Sequence, residues 1–186
     1  MTARTDSSPR LQFVGQRILA ACAISLFVAA LPHEALAQKR SPTLIFGQEA
    51  PPPTLDPHFS TSVSTRNVAM NIFEQLVTRD ESNAVIPELA DSWKISPDGL
   101  TYTFKIRTGL KFHNGKDMTS ADVKASFERY KRMALAKITL APVVAMEAPD
   151  ASTFVLKLDK PQPVFLDELS AFVVPIAIIP AEQADR

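Results

Sequence analysis

His58 and His113 are the side chains past residue 37 best suited to bind a metal or move a proton, and their surroundings argue against both roles. Neither sits in a His-x-x-x-His spacing or beside a cysteine, so the sequence offers no pair of protein ligands for a zinc-type site. The five glycines stand apart from one another, which leaves no phosphate-cradling loop, and no Gly-x-Ser-x-Gly elbow occurs. Carboxylates are abundant, but pairing two of them for acid–base work requires a cleft that sequence alone does not supply. The expectation is therefore no catalytic residue, no metal and no cofactor.

Charge excludes another class. The 186 residues carry 20 basic and 20 acidic side chains, a formal net charge of zero. Residues 1–37 hold three of the basic and two of the acidic ones, so the remainder has 17 against 18, a net charge of −1. Phosphate backbones are bound by clustered positive charge, and no nucleic-acid partner is expected.

The first segment reads as an address. Arg4, Arg10 and Arg17 precede an apolar run from Ile18 to Leu31, which is followed by Pro32 and the small-x-small pattern Ala35-Leu36-Ala37. A secretory signal peptide cleaved after Ala37 is expected; the run falls short of the ~20 apolar residues of a comfortable membrane span. Two alternatives stand beside it: a retained anchor, and lipid attachment at Cys22 through Leu19-Ala20-Ala21-Cys22. Most of the apolar run lies after Cys22, which favours cleavage at Ala37 and a mature chain without cysteine.

Behind this segment come the elements that would position any site. Thr43–Phe46 reads as a first strand, and Pro51-Pro52-Pro53 forces residues 47–63 into an ordered loop. From Ser64, Val68, Ile72, Phe73, Leu76 and Val77 fall on one helical stripe, predicting an amphipathic helix capped by Ser64. Residues 88–95 and 101–107 flank Ser96-Pro97-Asp98-Gly99 as a β-hairpin that turns Tyr102, Phe104 and Ile106 inward. Leu110 and Phe112 continue as a short strand to the turn at Asn114-Gly115. Thr119 to Asp122 starts a helix reaching about Met133, with Val123, Phe127 and Tyr130 inside. A second hairpin spans 143–147 and 153–158, a short helix carries Phe165, Leu166 and Leu169, and Val173–Ile179 is a last strand candidate. Hairpins mixed with helices predict an α+β fold, with 46% hydrophobic residues ample for a core.

Several stretches taken together resemble the family 5 bacterial solute-binding proteins, the binding components of dipeptide, oligopeptide, nickel and opine importers. They are Leu55-Asp56-Pro57-His58, the run from Asn71 to Val77, Ile86 to Trp93, Asp98 to Arg107, Lys111 to Gly115, Thr119 to Val123 and Ser126 to Arg129. The resemblance runs from about Thr43 to Pro180 in the family's order. Much of it is folding chemistry: Trp93, Phe104 and Phe112 read as core, the Asp-Gly and Asn-Gly pairs as turns, Thr119 to Asp122 as a helix cap, and Asp56 as a loop organiser.

The resemblance implies part of a type II-like periplasmic-binding-protein fold: residues 38–70 as the start of the first lobe, 71–180 as its satellite α+β domain, 181–186 as a truncated end, and the second lobe missing. It implies ligand contacts at Thr61, Ser62 and Val63, with Gln48 and Glu49 as weaker candidates. Extended backbone at 61–63 would pair with an extended peptide, an affinity that reads no side chain. The implied partners are a peptide or other small solute and the permease subunits of an ABC importer, for a periplasmic monomer. Without a second lobe to close over the ligand, such a chain should bind poorly or not at all. A short exported interaction domain and a small exported hydrolase are the competing functions. The assignment requires Tyr102, Phe104 and Ile106 to point inward and Thr43–Phe46 to lie in a sheet.

Overall fold

The computed structural model describes residues 44–133, 138–171 and 175–184. The expected signal peptide, its cleavage point at Ala37 and Cys22 lie outside the described residues.

The hairpin at Ser96-Pro97-Asp98-Gly99 forms as its residue types require. Gly99 takes the left-handed conformation (φ 70°), its N–H donates to the Ser96 carbonyl (2.9 Å), and the Asp98 carboxylate accepts the Leu100 N–H (3.0 Å). It joins β3 (Ala90–Ile95) to β4 (Thr101–Ile106), with Trp93 opposite Phe104 and Ile95 opposite Tyr102. A second hairpin, β5 (Val143–Asp150) and β6 (Thr153–Leu158), adds on through β6, giving a four-stranded antiparallel sheet of order β3-β4-β6-β5. Ahead of it, β1 (Val77–Arg79) and β2 (Val85–Pro87) form a separate two-stranded ladder.

Alternation decides which face is covered. Tyr102, Phe104 and Ile106 are buried, and the intervening Thr103 and Lys105 are not. Against the buried face lies α2 (Ser120–Arg132), whose Val123, Phe127 and Tyr130 are fully enclosed. Phe127 packs on Phe154 at 5.0 Å between ring centroids, and Phe154 lies 6.4 Å from Phe104. Each such side chain contributes about 1.5–3 kcal/mol through burial. The short helix α3 (Phe165–Leu169) caps one end, Phe165 meeting Tyr102 edge-on at 4.9 Å. The inward hairpin residues and the α+β class are as expected, while Trp93 and Phe112 are only half-buried on the core's margin.

Four local expectations are corrected. Leu44, Ile45 and Phe46 form no strand among the described residues and stay 89%, 89% and 68% exposed, because a strand exists only through a paired neighbour and none is described for them. The helix predicted from Ser64 to Val77 is the seven-residue α1 (Val63–Ala69), with Ser62 at the N-cap position but making no side-chain capping bond. It ends where the Ile72 and Phe73 N–H groups both turn back to the Ala69 carbonyl, and the β-branched Val77-Thr78 pairs instead with Ile86-Pro87. Leu110 and Phe112 make no strand: a single bridge, Lys111 to Asp117, closes the Asn114-Gly115 turn, where Gly115 has φ 84°.

The fourth correction concerns the last segment. Residues 172–174 are outside the described set, and residues 175–180 are buried and join no ladder. Their hydrogen bonds go elsewhere: Ile178 N–H to the Glu74 carbonyl (2.9 Å), and Ile179 N–H to Ser126 Oγ (2.9 Å). A 3-10 turn, Ala181–Gln183, follows.

Candidate ligand-contacting loop

The loop 47–62 keeps its shape through short-range bonds dictated by Thr, Asp and Ser. The Asp56 N–H donates to Thr54 Oγ1 (3.0 Å), the His58 N–H to Asp56 Oδ1 (3.0 Å), and the Ser62 N–H to Ser60 Oγ (3.1 Å). Its two arms are tied together. Thr65 Oγ1 donates to the Thr54 carbonyl (3.0 Å), Ser64 Oγ to the Pro51 carbonyl (3.4 Å), and the Ser62 and Ser64 hydroxyls share a hydrogen bond of 2.8 Å.

Two residues fasten this loop to the body of the fold. Arg129 grips the Asp56 carboxylate at both oxygens, Nη1 to Oδ1 at 3.0 Å and Nη2 to Oδ2 at 2.5 Å. The Arg129 side chain is only 7% exposed and that of Asp56 30%, so the pair is partly shielded from bulk water. Burial by itself would raise the Asp56 carboxyl, but the bonds from Arg129 and from the His58 amide outweigh it and hold the group below the usual range. His58 is wholly buried, edge-on to Tyr130 at 5.4 Å. Its Nε2 lies 2.8 Å from the Ala177 carbonyl oxygen, so that nitrogen carries the hydrogen and donates it. Burial pushes the imidazole down to about 4; the Ala177 carbonyl and the Asp56 carboxylate oppose this, and the Arg129 guanidinium reinforces it. The ring is neutral at pH 7.

With the rear of the loop fastened at 56 and 58, its outer edge is open. Thr61 is exposed, Ser62 is half-buried with extended backbone (φ −58°, ψ 134°), and Val63 is 58% exposed. Extended pairing across all of 61–63 is corrected at its last member, because Val63 opens α1. Its N–H, in the first helical turn, has no acceptor within that helix. Glu49 is exposed, and Gln48 is half-buried with Oε1 enclosed and unpartnered among the described residues. Both precede the first tie between the arms, at Pro51.

What the sequence reading missed is the polar stripe of α2. Asp122, Ser126 and Arg129 are all buried beside the apolar face. Asp122 completes the capping box with Thr119 and also accepts the Ala181 N–H (2.9 Å) and Lys116 Nζ (2.8 Å). Ser126 takes the Ile179 N–H, and Arg129 takes Asp56. The signal available was spacing: positions 122, 126 and 129 recur at four and three residues, as a buried stripe does, in polar types. Among the described residues no group of three His, Cys, Asp or Glu is placed to hold a metal, and no helix is long and apolar enough to cross a membrane.

Comparison with known proteins places this geometry. The profile of the family described as Bacterial extracellular solute-binding proteins, family 5 Middle, matches residues 84–186, a match that makes no use of residues 43–46. A Brucella ovis protein described as an ABC transporter peptide-binding protein is 38% identical over 119 residues, covering 60% of this chain and 22% of that one. The glutathione-binding protein GsiB of Escherichia coli is 34% identical over 132 residues, covering 67% and 26%. Among solved structures, NikA from Brucella suis in complex with Fe(III)-EDTA superposes with a TM-score of 0.70 at 30% identity, covering 77% of this chain and 29% of that one. The periplasmic binding protein AgaA from A. tumefaciens, in complex with agropinic acid, gives 0.65 at 36% identity, covering 70% and 27%. The chain thus spans roughly a quarter of the length of the proteins it matches, and its fold is that of part of a type II periplasmic binding protein.

Proposed function

This chain belongs to the bacterial extracellular solute-binding proteins of family 5, and on that premise we propose that it serves as the extracytoplasmic binding component of an ABC importer, taking up peptides or similar small solutes for a membrane permease. The observation that carries this is the loop 47–62 leading into Val63, whose buried side is fixed by the Asp56–Arg129 pair and by His58 while its outer edge stays accessible. Binding groups need such rigid support.

Thr61, Ser62 and Val63 contact the solute through their main chain, and Gln48 and Glu49 contribute from the preceding arm. Main-chain recognition fits a carrier of varied peptides, since it supplies affinity without reading side chains. The protein works without catalysis, as a monomer in the periplasm, exported by residues 1–37 with cleavage after Ala37. Residues 38–70 begin the ligand-bordering lobe, and 71–180 form its satellite. The peptide and glutathione named for relatives support small peptide-like solutes as the class.

The test is calorimetric titration of the intact protein produced from its own gene, using the solute that co-purifies with it as identified by mass spectrometry. Replacing Thr61 by proline removes one main-chain donor at the open edge. Loss of one such bond, about 1.4 kcal/mol, weakens binding roughly tenfold. Unchanged affinity in the Thr61→Pro protein contradicts the assignment.

A further inference from the structure

The four-stranded sheet has two edges, and they differ. β5 breaks register twice, between Val143 and Ala145 and between Glu147 and Asp150, and it carries Pro149, which has no N–H to offer a neighbour. β3, at the other edge, contains no proline, and its one irregularity falls at its start, between Ala90 and Ser92. From Asp91 to Ile95 the strand is exposed apart from the half-buried Trp93.

The ladder shows which groups of β3 are free. The Ser96 N–H donates to the Thr101 carbonyl (2.9 Å), in the same register that sets Lys94 opposite Thr103. Hydrogen bonding alternates along an antiparallel pair, so Ser92 and Lys94 turn their main-chain groups to β4, while Trp93 and Ile95 turn theirs outward. Side chains divide the same way. Trp93 and Ile95, the latter 45% exposed, share the core face with Phe104 and Tyr102, and Ser92 and Lys94 stand on the opposite face.

That opposite face is cationic beside the edge. A hollow of about 340 Å³ opens there, lined by Lys94 and Lys105 together with Ser92, Thr103 and Thr153, and no carboxylate lines it. Lys105 is occupied: its Nζ donates to Ser152 Oγ (2.5 Å), and its charge meets that of Asp150. Lys157, farther along this face, is taken by Glu147 (2.6 Å). Lys94 has no ion-pair partner among the described residues.

We propose that the free edge of β3 is a docking surface for an extended segment of another protein, one that alternates acidic and apolar side chains and adds to the sheet as a fifth strand. Its main chain bonds to Trp93 and Ile95. Its apolar side chains cover those two residues, and its carboxylates stand opposite Ser92 and Lys94, beside the hollow. A second copy of this chain fits less well. Antiparallel pairing of β3 with itself about Trp93 leaves Lys94 facing only Ser92, and pairing about Lys94 sets two ammonium groups against each other. The inference is independent of which solute the loop 47–62 meets.

Trp93 is the one tryptophan of the chain, so its emission reports on this edge. The test is a titration of the full chain with a synthetic peptide of alternating glutamate and valine, blocked at both ends, against a control of alternating lysine and valine. The glutamate peptide should shift the Trp93 emission saturably and slow amide exchange at Trp93 and Ile95 at least about tenfold, leaving that of Lys94, already bonded to β4, unchanged. The lysine peptide should do neither. In the Lys94→Glu variant, altered at an exposed position, affinity for the glutamate peptide should fall at least about tenfold and the lysine peptide should now bind. No saturable response to the glutamate peptide, or an equal response to both peptides, would overturn the proposal. So would protection at 61 and 63 in place of 93 and 95. Exchange at 93 and 95 that slows with protein concentration alone would give the edge to a second copy and overturn it too. Should the variant fail to fold, the two peptides on the unaltered chain decide.

Discussion

Arg129 and Asp56, 73 residues apart in sequence, meet in a two-point hydrogen-bonded ion pair that couples the middle of α2 to the loop before α1. Removing the carboxylate takes away the two-point partner of an almost fully buried guanidinium, a change that costs about 3–5 kcal/mol for fully buried pairs. Because Asp56 is 30% exposed, the expectation for Asp56→Ala is lower, about 2–4 kcal/mol, read as a shift of the urea midpoint. Asp56→Ala combined with Arg129→Met should cost less than the sum of the single changes. Strict additivity would show that the pair does not act as a unit.

His58 sets an acid limit on stability. Its folded pKa of about 4 lies below the ordinary 6.5, so the unfolded chain takes up the proton first. The sign follows: the contribution is complete above pH 6.5, declines as pH falls from 6.5 towards 4, and is lost below that. The span corresponds to about 3 kcal/mol. Asp56, held below its usual 3.8, adds a separate loss only at still lower pH. In a His58→Gln variant, whose amide can still donate to the Ala177 carbonyl, the slope between pH 6.5 and 4 should flatten. An unchanged slope would assign it to other groups.

Ser126 satisfies a main-chain donor that no ladder reaches. With Ser126→Ala the Ile179 N–H is left buried and unbonded, an expected loss of about 1–3 kcal/mol by chemical denaturation. Faster hydrogen exchange at Ile179, with exchange across β4 unchanged, would locate the effect; a stability equal to that of the unaltered chain would refute it.

Gly99 occupies a left-handed turn position where a side chain is strained whatever space surrounds it. The nearest atom to an added Cβ is that of Pro161 at 3.4 Å, an ordinary contact, so the cost of Gly99→Ala is conformational, about 1–2 kcal/mol. A thermal midpoint unmoved by this change would contradict the turn geometry.

These cases show which parts of the fold could be read in advance. The β3–β4 hairpin was legible because a Pro-Asp-Gly turn stands next to strict alternation at 102, 104 and 106, two local signals that agree. The start of α2 was legible from Thr119 and Asp122 for the same reason. The helix predicted through Val77 failed because Leu76 and Val77 share a helical stripe by coincidence, while their pairing with β2 is non-local and leaves no local mark. Val173–Ile179 reads as a strand since it is apolar, yet the Ile178 and Ile179 donors go to Glu74 and Ser126, partners that only the fold brings near. Thr61, Ser62, Val63, Gln48 and Glu49 are candidates only through family resemblance. The fastening of their loop at Arg129 could not be read from charges scattered along the chain.

Hydrogen exchange at Thr61 and Val63, in the intact protein with and without the solute that co-purifies with it, tests the central claim most directly. Bound solute should slow both amides at least about tenfold, as a new main-chain hydrogen bond does, with Asp56 and His58 unchanged because they are already fastened. Equal exchange with and without solute at 61 and 63, in a protein that demonstrably binds it, would contradict the account.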